Sequence, residues 1–206
     1  MWVSKLYICI DLKKYDEAIH TCVELLNLKA TRNSSDKIPM PEEKCVRAIV
    51  GGSLQSYHDA RAAGDEVALD SSKRTLGRVR QLLDKLKSTM ASEAWLYEVS
   101  ARFNEEMGWR EDVFNDLMKE YRTLQSAKGW EKDPVKISQM TTLMKDIFTH
   151  HKSEGTRESL VKSKLLINGV MKKIRIGSGD SEPPAEATEL DALLSDLKIS
   201  MASVAK

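Results

Sequence analysis

The fold of this chain is decided by the stretch YDEAIHTCVELLNLK at residues 15–29. Apolar side chains recur in it at the spacing of one broad helical face, which predicts an amphipathic α-helix. The preceding stretch WVSKLYICIDL at residues 2–12 has a helical pattern as well, and only Lys13 and Lys14 separate the two. Two helices joined by so short a connection pack antiparallel, so the sequence predicts a helix hairpin here.

Five side chains of this hairpin stand where a paired-helix repeat of about 34 residues, the tetratricopeptide unit, has its signature. They are Trp2, Leu12, Tyr15, Ala18 and Leu26. Ala18 is small, so two helices can approach closely at that position. We expect Tyr15 and Leu12 to cover the turn between the helices. Lys5 and Leu6 depart from the repeat pattern, which has Leu-Gly there.

Helical periodicity continues along the rest of the chain, whereas alternation typical of strands is not sustained over several residues. We therefore predict an all-α fold of stacked antiparallel helix hairpins, a tetratricopeptide-like α-solenoid of about eight or nine helices. Asp133-Pro134 is a helix start, because a capping carboxylate precedes proline at the first helical position. Gly51-Gly52 is expected to bend or end the third helix.

The sequence divides into three segments. Residues 1–175 are predicted to form the helical-hairpin domain, whose last helix runs from about 156 to 175 with Leu160, Val161, Leu165, Val170 and Ile174 as its apolar residues. Residues 176–188 are rich in glycine, serine, proline and acids, which is typical of a flexible acidic linker. Residues 189–206 are predicted to form a short C-terminal amphipathic helix and a tail.

Composition narrows the class of protein. Charged residues make up 31% of the 206 and aromatic residues 6%, and the net charge is +1. Without a basic excess, a general affinity for nucleic acid is not expected. Three widely spaced cysteines among apolar neighbours indicate buried, reduced thiols. No apolar run reaches the length of a membrane span and the start does not read as a signal peptide, so we expect a cytoplasmic or nuclear protein.

Catalytic and metal-binding motifs are not apparent in the sequence. We find no glycine-rich phosphate loop, no nucleophile elbow and no paired acids in an apolar setting, so we predict a non-enzymatic protein without a cofactor. His150-His151 is the best candidate for a metal site, but adjacent helical residues point in different directions and no facing ligand completes a set. We predict instead that both histidines lie at a frayed helix end.

Four stretches together carry a family resemblance. They are residues 2–28, Val46-Arg47-Ala48-Ile49-Val50, Trp95-Leu96-Tyr97 and Gly129-Trp130-Glu131-Lys132-Asp133. In order and spacing the chain resembles the C-terminal part of the tetratricopeptide repeat protein 27 family. The resemblance implies a fragment of a eukaryotic chaperone-linked factor. Such factors are associated with assembly of the fifth spliceosomal small nuclear ribonucleoprotein and with the ninety-kilodalton heat-shock chaperone system. It implies protein partners and no catalytic residues.

Basic residues concentrate on two predicted helices. Arg78 and Arg80 lie on one, and Lys172 and Lys173 on the other. They could line a groove for an acidic peptide of a partner protein, but solvated faces are the simpler interpretation, because exposed ion pairs contribute little. An RNA-binding helical repeat that uses these basic helices is the alternative function.

The C-terminal stretch LDALLSDL at residues 190–197 has the form of a leucine-aspartate docking motif. Its apolar stripe consists of Leu190, Leu193, Leu194 and Leu197. Such a stripe could enter a groove of a partner, which would make the chain a generic adaptor. Alternatively the helix folds back as a cap over the last hairpin, and the family resemblance favours this cap. Our principal expectation is a non-enzymatic protein-binding scaffold.

Overall fold

The structure is a computed structural model that describes residues 2–31, 39–179, 182 and 184–204. Within these ranges it contains nine α-helices packed as sequential antiparallel pairs, and no strand. The helices are α1 (Trp2–Asp11), α2 (Tyr15–Thr31), α3 (Glu43–Ala63), α4 (Glu66–Thr89), α5 (Ala94–Glu106), α6 (Arg110–Ser126), α7 (Pro134–Glu154), α8 (Arg157–Ser178) and α9 (Ala185–Val204). A short 3-10 helix, Trp130–Lys132, precedes α7. The predicted all-α fold of helix hairpins is confirmed.

The chain forms two compact units, Met1–Val113 and Phe114–Lys206. From the sequence we predict one helical-hairpin domain over residues 1–175. The boundary falls inside α6, where the apolar pattern is continuous and gives no sign of a division.

In the first unit α1 packs on α2, α3 packs on α4, and α2 also lies against α4. Ala18 and Leu26 of the predicted signature are buried in its core, and Trp2 and Tyr15 are half-buried. Leu12 is 61% exposed, so its predicted packing over the turn is wrong. The reason is that α1 ends at Asp11, which places Leu12 in the turn itself and outside the helix face.

The close approach at Ala18 leads to a test of the hairpin. Ala18 is 0% exposed, and Ala18→Leu is expected to lower the free energy of unfolding by roughly 1–3 kcal/mol, because extra methylenes overpack a filled core. Ala62→Leu, on an exposed position of α3, is the matched control and should change it by less than about 0.5 kcal/mol. Urea unfolding followed by circular dichroism measures both, and equal midpoints for the two variants would contradict the predicted packing.

The glycine pair of α3 does not end the helix, which is continuous from Glu43 to Ala63, so the expected end at this pair is wrong. A side chain at Gly51 would meet open space, whereas a Cβ at Gly52 would overlap the phenol ring of Tyr15. The absence of a side chain at Gly52 therefore lets Tyr15, the first residue of α2, pack on the middle of α3. The close contact explains the glycine, and the helix continues through it.

Capping aspartates mark the first turns of two helices. The α4 helix begins at Glu66, because the Asp65 carboxylate accepts a hydrogen bond from the Ala68 amide at 2.9 Å. Asp133 caps α7 as predicted, accepting from the Val135 and Lys136 amides at 3.0 and 3.4 Å.

In the second unit α7, α8 and α9 pack on one another, and the 3-10 helix lies against α8 and α7. The predicted linker at 176–188 is shorter in the structure, because α8 continues to Ser178 and α9 begins at Ala185. The end of α8 packs closely on the 3-10 helix, where a Cβ at Gly177 would overlap the backbone carbonyl of Glu131. The close approach explains why residue 177 is a glycine.

Candidate functional site

The cations predicted on α4 are engaged inside the first unit. Arg78 forms an ion pair with Asp16 at 3.1 Å. Arg80 forms one with Asp112 at 2.8 Å, and its guanidinium lies 4.1 Å from the ring centre of Trp109. Both arginines therefore connect α4 to neighbouring segments, and their charge is largely compensated. They do not form a free basic patch.

A groove of about 640 Å³ runs beside α2 and α4 in the same unit. Ile19 and Val23 give it an apolar floor, and Lys5, Arg78 and Lys85 stand at its rim. Lys5 lies 5.6 Å from the ring centre of Trp2, and Lys85 donates a hydrogen bond to the Asn27 side chain. These cations thus have intramolecular partners, which weakens the electrostatic attraction between the groove and an acidic ligand.

The outward side of α8, in the second unit, combines exposed apolar side chains with two lysines. Val161, Leu165 and Ile176 are large apolar side chains of this helix that are 37%, 68% and 68% exposed. Lys172 and Lys173 are exposed between Leu165 and Ile176, and neither forms an ion pair in the part of the chain that the structure describes. We call these five residues the α8 outer face.

The spacing of these residues places them together on the helix. Positions 161, 165, 172 and 176 differ by four, seven and four residues, which is one stripe at helical periodicity, and 173 adjoins it. Two other cations of α8 are paired: Lys162 with Glu158 at 2.9 Å, and Arg175 with Asp191 at 2.9 Å. The stripe thus joins exposed apolar area to two lysines without acidic partners among the described residues.

The leucines of the C-terminal motif face inward. Leu190 and Leu197 are each 0% exposed, and α9 packs on α7 and α8, while Leu193 and Leu194 are half-buried. Glu189 and Asp191 flank this contact with ion pairs to Lys145 at 2.6 Å and Arg175 at 2.9 Å. Of the two interpretations, the structure has the helix folded back on its own chain, so Leu190 and Leu197 are covered.

The histidine pair is part of the second unit's core, and the predicted frayed end is wrong because α7 continues to Glu154. His151 is 2% exposed, with its Nδ1 at 2.7 Å from the buried Ser163 Oγ. The His150 ring stacks on Phe114 at 5.4 Å. In the described ranges no three histidine, cysteine or acidic side chains are grouped to hold a metal ion.

Burial of His151 makes stability depend on pH. Desolvation lowers the pKa of His151 below its ordinary value of 6.5, although Glu154 opposes this shift. The unfolded chain therefore binds the proton more readily than the folded one. Stability is fully present above pH 6.5 and is lost as the pH falls through the lowered folded pKa, with a slope approaching about 1.4 kcal/mol per pH unit.

Urea midpoints between pH 5 and 8 measure this effect. His151→Gln should flatten the acid limb of the stability profile, because glutamine does not titrate. His20→Gln, at an exposed position of α2, should leave it in place. An acid limb of unchanged steepness in His151→Gln would assign the pH dependence to other groups.

The three cysteines, Cys9, Cys22 and Cys45, are buried and unpaired, as predicted. Burial raises the pKa of the Cys22 thiol to about 12, so it stays protonated at neutral pH. A protonated, buried thiol is a poor nucleophile.

In the described ranges no helix combines the length and apolar character that crossing a membrane requires.

Comparisons with known proteins add little to this geometry. No protein-family model matches the chain, and no curated protein matches it. Among solved structures it is similar to one titled "DHF58 filament", with 15% sequence identity, a TM-score of 0.26, and coverage of 98% of this chain and 92% of that chain. A similarity at this level carries no argument about function, so the resemblance described above stays an expectation.

Sequence reasoning found the two lysines of the α8 outer face but missed its apolar part. The sequence pattern does not separate Val161 and Leu165 from the other apolar residues of this helix. In the structure the buried residues form a track of their own, which contains Leu160, Ile167, Val170 and Ile174. Val161 lies about 100° from Leu160 around the helix, and Leu165 continues its side. Separating the two tracks by angle would have identified the exposed one.

Proposed function

We propose that this chain is a non-enzymatic protein-binding scaffold whose α8 outer face takes a partly apolar, acidic segment of a partner protein. The observation that carries the proposal is the exposure of Leu165 and Ile176 next to Lys172 and Lys173. Covering a leucine or isoleucine completely contributes about 1.5–3 kcal/mol, so two such residues can anchor a partner.

The charges add selectivity to this apolar contact. Because Lys172 and Lys173 have no ion-pair partner among the described residues, an acidic segment can approach without first breaking an intramolecular pair. Acidic side chains on the partner would orient it along α8 and reject basic competitors. From the family resemblance we propose partners in chaperone-assisted assembly of a spliceosomal small nuclear ribonucleoprotein, in the cytoplasm or the nucleus.

The test compares recovery of chaperone and spliceosomal assembly proteins by the full chain and its variants. Leu165→Ser with Ile176→Ser removes the apolar area, and Lys172→Glu with Lys173→Glu reverses the charge. Val135→Ser and Lys198→Glu are matched controls, because both residues are exposed in the same unit but lie on other helices. We expect recovery to fall with both α8 pairs and to persist with the controls. Equal recovery across all variants would refute this site.

The RNA-binding alternative predicts a different experimental result. It requires a shift of RNA at low salt that weakens steeply with added salt and disappears on charge reversal at Arg78, Arg80, Lys172 and Lys173. The ion pairs of Arg78 and Arg80 weigh against it, because these two cations are already compensated.

A further inference from the structure

A second pocket, in the first unit, is independent of the α8 outer face. It has a volume of about 290 Å³ and lies where the turn before α2 meets α3 and α4. We call it the hydroxyl pocket, after Tyr15, Ser53, Ser56, Ser71 and Thr75, which line it together with Lys13. So many hydroxyl groups around one opening indicate a polar ligand.

Ser53 is the residue that points to a ligand. It is 1% exposed, and its Oγ has no hydrogen-bond partner among the described residues. A buried hydroxyl without a partner costs stability, and this one lines the pocket. Other hydroxyls there are already used: Ser56 donates to the Gly52 carbonyl at 2.9 Å and Thr75 to the Asp16 carboxylate at 3.1 Å. Ser53 thus retains a donor for a bound group.

The charges around the pocket favour an anion. The 17-residue helix α2 begins here, so its first-turn amides and the positive end of its dipole lie at the opening. Two carboxylates also line it, but Asp16 is paired with Arg78 at 3.1 Å and Glu17 with Lys14 at 3.3 Å. Lys13 has no ion pair in the described ranges and leaves a surplus positive charge.

We propose that the hydroxyl pocket binds a phosphate group, which accepts hydrogen bonds from Ser53 Oγ and from the first-turn amides of α2, with Lys13 as its counter-charge. A helix N-terminus, a lysine and a hydroxyl donor are the groups that commonly hold such oxyanions. The same chemistry would accept free phosphate or a phosphomonoester. This site shares no residue with the proposed protein-binding face, so either can fail without the other.

The experiment is an NMR titration of the full chain with inorganic phosphate, against sodium chloride at equal ionic strength. We expect saturable shifts in the amides of Tyr15, Asp16 and Glu17 with phosphate and not with chloride. A parallel titration with O-phosphoserine, against serine, distinguishes the sources: tighter binding of O-phosphoserine indicates a phosphomonoester, and equal or weaker binding indicates free phosphate.

Two variants test the named contacts. Ser53→Ala should fold normally, because it removes an unpaired buried hydroxyl, and should raise the phosphate Kd about tenfold, the loss of one hydrogen bond to a charged ligand. Lys13→Asn removes the charge at a residue with φ of 56°, a conformation that asparagine tolerates, and should also weaken binding. Lys73→Asn, outside the pocket, is the control. Shifts equal to those with chloride, or an unchanged Kd in Ser53→Ala, would overturn the proposal.

Discussion

Phe103→Ala is expected to lower the free energy of unfolding by about 3–5 kcal/mol, the range found when a buried aromatic side chain is truncated. Phe103 is 0% exposed at the centre of the first unit's core. Its ring meets Trp109 edge to face, with ring centres 5.9 Å apart. The other partner of that indole is the Arg80 guanidinium, which Asp112 holds at 2.8 Å. Removing the phenyl ring therefore leaves a cavity and loosens a polar cluster next to it.

Urea unfolding monitored by tryptophan fluorescence measures the loss for Phe103→Ala. Phe103→Leu is the graded control, because leucine keeps much of the buried volume and should cost distinctly less. A loss below about 1 kcal/mol for the alanine variant would mean that the site collapses around the smaller residue, against the packing described.

Gly177→Ala is expected to destabilise the second unit by roughly 1–3 kcal/mol. The new methyl group would overlap the carbonyl oxygen of Glu131, which belongs to the 3-10 helix packed on the end of α8. A backbone carbonyl cannot rotate away as a side chain can, so the end of α8 or the 3-10 helix has to move. Substitution of glycine inside a helix normally has the opposite sign, which makes the result diagnostic.

Gly169→Ala in the same helix is the matched control. A Cβ at Gly169 would meet nothing within 4 Å, so this variant should gain about 0.5–1 kcal/mol from helix propensity alone. Thermal unfolding of the two variants side by side should show midpoints displaced in opposite directions. If both rise together, α8 frays before Gly177 and its contact with Glu131 does not hold the helix end.

Much of the fold follows from local signals in the sequence. The helical periodicity around Ala18 predicts the first hairpin, and Asp133-Pro134 marks the start of α7 to the residue. These signals can be read without the structure because they act within one or two turns of helix. The same holds for the burial of Ala18 and Leu26, which lie on the apolar stripe.

The errors arise where contacts between distant residues decide the outcome. Gly52 lacks a side chain where Tyr15 packs on α3, and Gly177 lacks one where the Glu131 carbonyl approaches α8. The role of Arg80 depends on Trp109 and Asp112, which adjoin it only in the folded chain. The same holds for the candidate site: the lysines of the α8 outer face could be named from the sequence, but their lack of an ion-pair partner among the described residues could not.

The ion pairs of the α4 arginines also affect the rate at which a polyanion associates with the first unit. Long-range attraction accelerates encounter only when charges on one surface add to a net field. With Arg78 opposite Asp16 and Arg80 opposite Asp112, the fields of neighbouring charges cancel within a few ångströms. These two arginines should therefore add little long-range attraction to the encounter with a polyanion.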